Sequence, residues 1–461
     1  MDMKYDLKQL IEELDTVHED GFFSRNQLGE HEVFLNFNTA RNGFQRHFSK
    51  AALKAISSLT RQLHESDVAI SSVIEVKGLE THVRQCIANL HAEEVIDPTQ
   101  MDGPDGAYEK FLKEVHESLS QLHTVFTHFF PAWTLGMEHD RPFVIGPVTV
   151  MTRDQWLDSV EFPEHLLQYG GESEKNAVWK QSVKGALQNR NGEVDLVGLA
   201  ETVYSVLKNC PAILKVTVTG YEVNLSRKVG EIVCKSALDS ISLLFGGQNF
   251  FHQQALAGER MVPISSSSML EMNGKIWLPG RTMGPRIKNL EYPTVRDHLV
   301  KNSDVLNAIG KILDALLNPA HHTHPNLAKR WTTALDWMAE GSRDKNDAVA
   351  LTKMATSLDV LSCGGKCTGI LGMLSHLFNL DKEKIVVTSP KERKLKDLVS
   401  EVYGYGRSQI LHGTHFDRLK SFEATKNFAA QLASGALVEC AVRLQKFNGA
   451  DGDKAFRTIP A

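Results

Sequence analysis

The sequence predicts an α+β protein that is predominantly helical, in three blocks: a helical N-terminal region over 1–131, a mixed α/β middle region over 132–291 and a C-terminal helical bundle over 292–461. Three observations predict this. Apolar residues recur at spacings of three and four through the first and last blocks. β-branched and alternating segments concentrate in the middle. The length of 461 residues corresponds to about three domains at roughly 150 residues each.

Tyr5, Leu7, Leu10, Ile11 and Leu14 line one face of a first helix. A second helix is predicted over 44–64, with Phe44, Phe48, Ala52, Ile56 and Leu59 on one side. A third is predicted over 108–130, where Phe111, Val115, Leu119, Leu122, Val125 and Phe129 stay in register and carry His123 and His128 along. The turn-rich stretch 97–106 separates it from the earlier helices. The pattern changes near Pro131. Residues 142–152 are β-branched and contain the turn signal Gly146-Pro147. Residues 213–221 set Leu214, Val216 and Val218 against Lys215, Thr217 and Thr219, the alternation of a half-buried strand. Helices are predicted at about 194–208 and 226–244, and short strands and loops over 261–289. From Tyr292 the helical spacing returns. It predicts helices over 302–317 (stopped by Asn318-Pro319), 327–341, 346–363, 368–380, 392–403 and 421–447.

Lys and Arg number 51 against 56 Asp and Glu, a net charge of −5. That excludes a broadly basic protein that coats nucleic acid, but not a confined basic site. The six cysteines, Cys86, Cys210, Cys234, Cys363, Cys367 and Cys440, are scattered apart from one C-x3-C pair, which points to a reducing cytoplasm. The N-terminus carries acids every few residues and lacks the apolar stretch of a signal peptide. The uncharged stretch 245–258 is too short and polar to span a bilayer. The expectation is a cytoplasmic protein with no membrane partner.

Several motifs fail on inspection. A phosphate loop needs a glycine where Val360 stands and Ser or Thr where Cys367 stands, so Gly364-Gly365-Lys366-Cys367 reads as a glycine cap between two helices. Cys363 and Cys367 lack a second ligand pair. His321, His322 and His324 lack a nearby Cys or acid pair and read as a solvated loop. No metal or cofactor is expected.

Arg407 and His412 stand five apart in RSQILHG. Arginine offers a fixed fork of donors to a phosphate, and histidine exchanges a proton near neutral pH. Together they are a minimum set for attacking an RNA phosphodiester without metal. On an α-helix, residues i and i+5 project about 140° apart, so convergence requires a loosely wound turn, expected to be the first of its helix. With four to six residues allowed between arginine and histidine, three other pairs match: Arg25 with His31, Arg41 with His47, and Arg84 with His91. Context separates the fourth. It follows the aromatic hinge Tyr403-Gly404-Tyr405-Gly406, ends in Gly413 and precedes a long helix. Between Lys391 and Lys420, seven basic residues (Lys391, Arg393, Lys394, Lys396, Arg407, Arg418, Lys420) face four acids (Glu392, Asp397, Glu401, Asp417). This local positive excess suits an anionic substrate.

Three segments of the last third resemble an Apea-like HEPN domain, a helical superfamily with an R-x4–6-H motif. They are RWTTALDWMAEG (330–341), AVALTKMATSLDVLSC (348–363) and YGYGRSQILHG (403–413), followed by the long last helix. The likeness covers about residues 300–461. It implies a metal-independent ribonuclease of antiviral or anti-phage defence or of a toxin system. It also implies a HEPN-like bundle, and a site built at a two-fold homodimer or higher homo-oligomer interface from both copies. Arg407 and His412 would be catalytic, Ser408 and Tyr405 supporting, and Asp359 would orient the arginine. The RNA substrate would be a single-stranded loop such as that of a tRNA, with a phage product or a nucleotide as trigger. Many nuclease members carry Asn, Asp or His after the arginine, whereas this chain has Ser408, which hydrogen-bonds over a shorter reach.

Plainer readings stand beside these. Arg407 is then an ion-pair partner of an acid such as Asp359 or Glu401, and His412 a capping or packing residue before Gly413. Tyr403 and Tyr405 either stack on a base or anchor the hinge. The alternative function is a non-catalytic binding or sensor protein, in which the helical domain serves dimerisation or nucleotide binding.

Overall fold

The computed structural model describes residues 3–22, 36–122, 124–162, 177–189, 196, 198–259, 265–277, 280–284, 290–389, 391–417 and 419–461. Helix accounts for 58% of the chain and strand for 12%, so the class is α+β with helix dominant. The residues form two compact units, Met1–Phe126 with Val218–Lys228, and Thr127–Thr217 with Val229–Ala461. The second unit holds sequence from both the middle and the C-terminal blocks.

In the first unit, α1 (Met3–Val17), α2 (Lys50–Ser66), α3 (Val68–Ser71), α4 (Val76–Ala92) and α5 (Ala107–Ser120) accompany a hairpin of β1 (Phe37–Thr39) and β2 (Gln45–His47). The spacing that predicts α1 is the one that buries it. Leu7, Leu10, Ile11 and Leu14 are fully buried in one cluster with Ile56, Leu59, Val83 and Phe111. Each such side chain stabilises the fold by about 1.5–3 kcal/mol. A buried carboxylate fixes the register: Asp6 accepts from Ser58 Oγ and Gln62 Nε2, both at 2.6 Å, so α1 can sit against α2 in one way only.

Two expectations for this region are corrected. The second helix does not begin at Phe44, which is 64% exposed in the hairpin turn. It begins after Ser49, whose hydroxyl accepts from the Ala52 N–H at 3.1 Å, while Phe48 is buried ahead of the cap. The third helix stops at Ser120 instead of running to 130. Strand β3 (Val125–Trp133) takes over, and His128 lies on it. The spacing of Leu122, Val125 and Phe129 is helical by coincidence. The run Val125-Phe126-Thr127 is β-branched and aromatic, and pairing inside a sheet decides its conformation. His123 lies outside the described residues.

The sheet has five strands in the order β4–β5–β6–β3–β7, with β4 (Phe143–Ile145), β5 (Val148–Thr152), β6 (Ala212–Thr219) and β7 (Ala255–Leu256). The expected alternation on β6 is present, with Leu214, Val216 and Val218 buried between exposed Lys215, Thr217 and Thr219. The β4–β5 turn uses Gly146 at φ +53° and presses on Gly310. A Cβ on Gly146 would lie 2.4 Å from the Gly310 carbonyl oxygen, so both positions require glycine. Helices α6 (Arg153–Ser159), α7 (Ala177–Gln188), α8 (Gly198–Leu207), α9 (Val223–Leu244) and α10 (Gln248–Phe251) accompany this sheet in sequence. Strands β8 (Ser265–Ser267), β9 (Leu270–Met272), β10 (Lys275–Trp277) and β11 (Arg281–Met283) form two antiparallel ribbons, β8 with β11 and β9 with β10.

The helical part of the second unit comprises α11 (Tyr292–Lys301), α12 (Ser303–Leu317), α13 (Pro325–Arg343), α14 (Asp347–Leu361), α15 (Lys366–Leu377) and α18 (Glu423–Leu444). Between α15 and α18 lie a hairpin of β12 (Ile385–Val387) and β13 (Arg393–Lys394), then α16 (Leu395–Val399), a π-helix (Ser400–Ser408) and α17 (Gln409–Leu411). Trp331 is fully buried and its Nε1 donates to the Leu437 carbonyl at 2.8 Å, tying α13 to α18. The Arg343 guanidinium pairs with the buried Asp239 carboxylate. As expected, the glycine segment caps α14. Cys363 and Gly364 are left-handed (φ +54° and +64°), and the Gly364 N–H returns to the Asp359 carbonyl at 2.8 Å. His321, His322 and His324 are not simply a solvated loop. His322 Nε2 meets Asp314 at 2.8 Å, and the buried His324 meets the Gly449 carbonyl at 2.8 Å. Their partners lie far away in sequence or one helix back, beyond any local pattern.

Burial, helped by Arg46 and neighbouring imidazoles, pushes His18 down to about 4; burial, helped by Arg343 and Lys345, does the same to His252. A lowered pKa means that the folded state binds fewer protons than the unfolded chain between pH 4 and 6.5. The stabilisation is therefore complete above 6.5 and is lost as pH falls through 4. Calorimetry should show each unit losing about 1–2 kcal/mol over this window after solvent screening, with His18→Gln and His252→Gln each flattening the profile.

Candidate active site

Helix α14 begins at Asn346, whose side chain accepts from the Ala348 and Val349 N–H groups. One face then carries Thr352, Thr356 and Asp359 at spacings of four and three. The Thr356 hydroxyl donates to the Thr352 carbonyl at 2.8 Å, which aims its lone pairs off the helix. The Asp359 carboxylate accepts the Lys366 N–H at 3.2 Å, so the turn after α14 holds it in place.

The π-helix lies against α14 at Gly406. A Cβ there would stand 2.7 Å from Leu351 Cδ2 and 3.0 Å from the Glu401 carbonyl oxygen. A side chain there would have to displace the tip of Leu351. The wider winding puts residues four and five apart on one face, so Tyr403 and Arg407 point together. The expected hinge at 403–406 is therefore a continuous helix. The loosely wound segment also ends a helix instead of starting one: α17 stops at Leu411, His412 is its cap, and Gly413 turns the chain away at φ +69°.

Arg407 reaches α14. Its Nε donates to Thr356 Oγ1 at 3.2 Å, its Nη1 donates to Tyr403 Oη at 3.2 Å, and its Nη2 faces Asp359 Oδ2 at 3.5 Å. The guanidinium also lies over the Tyr403 ring, 5.0 Å from its centre. Tyr403 Oη in turn donates to Asp359 Oδ2 at 3.4 Å. Burial and the Asp359 charge raise the phenol above its ordinary value, so it stays a donor. The Arg407 side chain is 21% exposed. His412 is exposed, and its imidazole carries no hydrogen bond among the described residues. Ser408 joins it through the backbone, the His412 N–H donating to the Ser408 carbonyl at 3.0 Å. Tyr405 is 63% exposed. The structure thus gathers Arg407, Asp359 and Tyr403, adds Thr356, and leaves Ser408, Tyr405 and His412 outside that cluster of side chains. Thr356 escapes a sequence reading because its only signal is its spacing from Asp359.

The local basic patch is largely neutralised. Arg393 pairs with Glu401, Lys394 and Lys396 with Glu383, and Arg407 with Asp359. Glu383 and Asp359 come from outside the stretch 391–420. Arg418 lies outside the described residues. The competing pairs are structural where they are described. Arg41 forks onto Glu93 at 2.5 and 2.7 Å, and Arg84 donates to Asn38 at 2.5 Å. His91 is held between Asp15 and Arg46. Arg25 and His31 lie outside the described residues. No described group of His, Cys, Asp and Glu is arranged to hold a metal ion, and no described helix is long and apolar enough to cross a membrane.

No protein-family model, curated protein or solved structure matches the chain.

Replacing the two helical glycines should separate their roles. A Cβ at Gly404 meets only Ser400 Oγ at 3.7 Å, so Gly404→Ala should raise stability by up to about 1 kcal/mol through reduced unfolded-state entropy. Gly406→Ala should cost about 1–3 kcal/mol by overpacking against Leu351. Denaturant titration reads both.

Proposed function

We propose that the chain is an endoribonuclease of the HEPN type, working in antiviral or anti-phage defence or in a toxin system. The observation that supports this most is an arginine held by hydrogen bonds to Thr356 and Tyr403, five residues before an exposed histidine with no hydrogen-bond partner among the described residues. That is what RNA cleavage by the neighbouring 2′-hydroxyl asks of a protein. His412 takes the 2′-hydroxyl proton, and the 2′-oxygen attacks phosphorus. Arg407 stabilises the charge on the non-bridging oxygens. The P–O5′ bond breaks, and the leaving oxygen collects a proton from His412 of the partner subunit, giving a 2′,3′-cyclic phosphate and a 5′-hydroxyl. A second copy suits the surface beside the motif, where Phe416 and Leu419 are 91% and 96% exposed. The substrate is single-stranded RNA, with a tRNA loop as the first to try, and a nucleotide or phage product is the proposed trigger.

One observation favours the second reading, a non-catalytic binding or sensor protein. The Arg407 charge is already met by Asp359 within this chain.

Incubation with total RNA in EDTA separates the two. The wild type should cleave, and Arg407→Ala and His412→Ala should each be slowed about 100-fold or more. Equal cleavage by all three, or no cleavage by the wild type with phage-infected extract added, contradicts the nuclease reading.

A further inference from the structure

We infer that Tyr403 and Thr356 are positioning residues that hold Arg407 ready for a phosphate, an inference that rests on the nuclease reading above. A guanidinium has five N–H donors in one plane. Two bonds fix that plane here, Nε to Thr356 Oγ1 and Nη1 to Tyr403 Oη, both at 3.2 Å. The Tyr403 ring supports its face at 5.0 Å from the ring centre. Asp359 occupies at most one more donor, through Nη2 at 3.5 Å. At least one N–H therefore remains on each terminal nitrogen, free to donate to a phosphate oxygen.

Each holder is itself held. The Thr356 hydroxyl donates to the Thr352 carbonyl, so its lone pairs face Arg407. The Tyr403 hydroxyl donates to Asp359, so it can only accept from the guanidinium. The pose is set before RNA arrives, and the ordering of a long flexible side chain is not charged to the transition state. Asp359 has a second consequence. Its charge offsets that of Arg407, so the site attracts phosphate weakly in the ground state and acts mainly through placement.

The two contributions separate in kinetics. Tyr403→Phe keeps the ring and removes the hydroxyl; Thr356→Val keeps the shape and removes the acceptor. Each should lower kcat about tenfold with KM little changed and the melting temperature retained, and Thr356→Ser should restore the rate. Asp359→Asn should move the other way in binding, with KM falling and its salt dependence steepening. Wild-type kcat in both Tyr403→Phe and Thr356→Val, with Arg407→Ala inactive, overturns the positioning role and leaves the nuclease reading intact. If the wild type cuts no RNA, the nuclease reading fails instead. The hold on Arg407 is then read from its side-chain Nε–H resonance. A signal slow to exchange in the wild type and lost in Thr356→Val supports the hold, and fast exchange in the wild type overturns it.

Discussion

The approach of Gly406 to Leu351 is the constraint on which the candidate site depends. It sets the separation of the π-helix from α14, and that separation decides what Arg407 can touch. One added carbon at Gly406 would have to displace the buried Leu351 side chain or shift the π-helix from α14. The contacts of Arg407 that cross this gap, 3.2 Å to Thr356 and 3.5 Å to Asp359, would lengthen with it. Around this contact the fold is layered outward. Asp359 ties the site to the turn before α15, and α13 and α18, joined to each other by Trp331, both pack against α14.

What the sequence shows well is what local periodicity controls. The apolar spacing of α1 and α12 and the alternation of β6 mark elements whose burial follows the pattern. Asn318-Pro319 ends α12 where expected. Three failures share a physical origin. At Val125–Trp133 the helical spacing is real, but sheet pairing outweighs it. At Gln45–His47 a three-residue strand is too short to show a period. At Ser400–Ser408 the winding is chosen by a helix packed from elsewhere in the chain, and two glycines in sequence look like a hinge.

The site was legible in part for the same reason. The motif residues Arg407 and His412, and the acid Asp359 that meets the arginine, could be named from sequence. The neutralisation of the basic stretch could not, because Glu383 and Asp359 come from outside it. A charge count over a window measures composition; the field at a site depends on which acids the fold returns to it. Under the nuclease reading, the pairing moves the role of Arg407 from drawing RNA in to placing donors at the phosphate, and His412 stays exposed beside it in sequence.

The central claim concerns one bond-forming step, attack by the ribose 2′-oxygen, and the ends of the RNA record it. Mass spectrometry of fragments made in EDTA by the wild-type protein tests it most directly. The account requires 2′,3′-cyclic phosphate and 5′-hydroxyl ends, absent from the His412→Ala reaction. Fragments with 3′-hydroxyl and 5′-phosphate ends, or the same cyclic ends from His412→Ala, would contradict it.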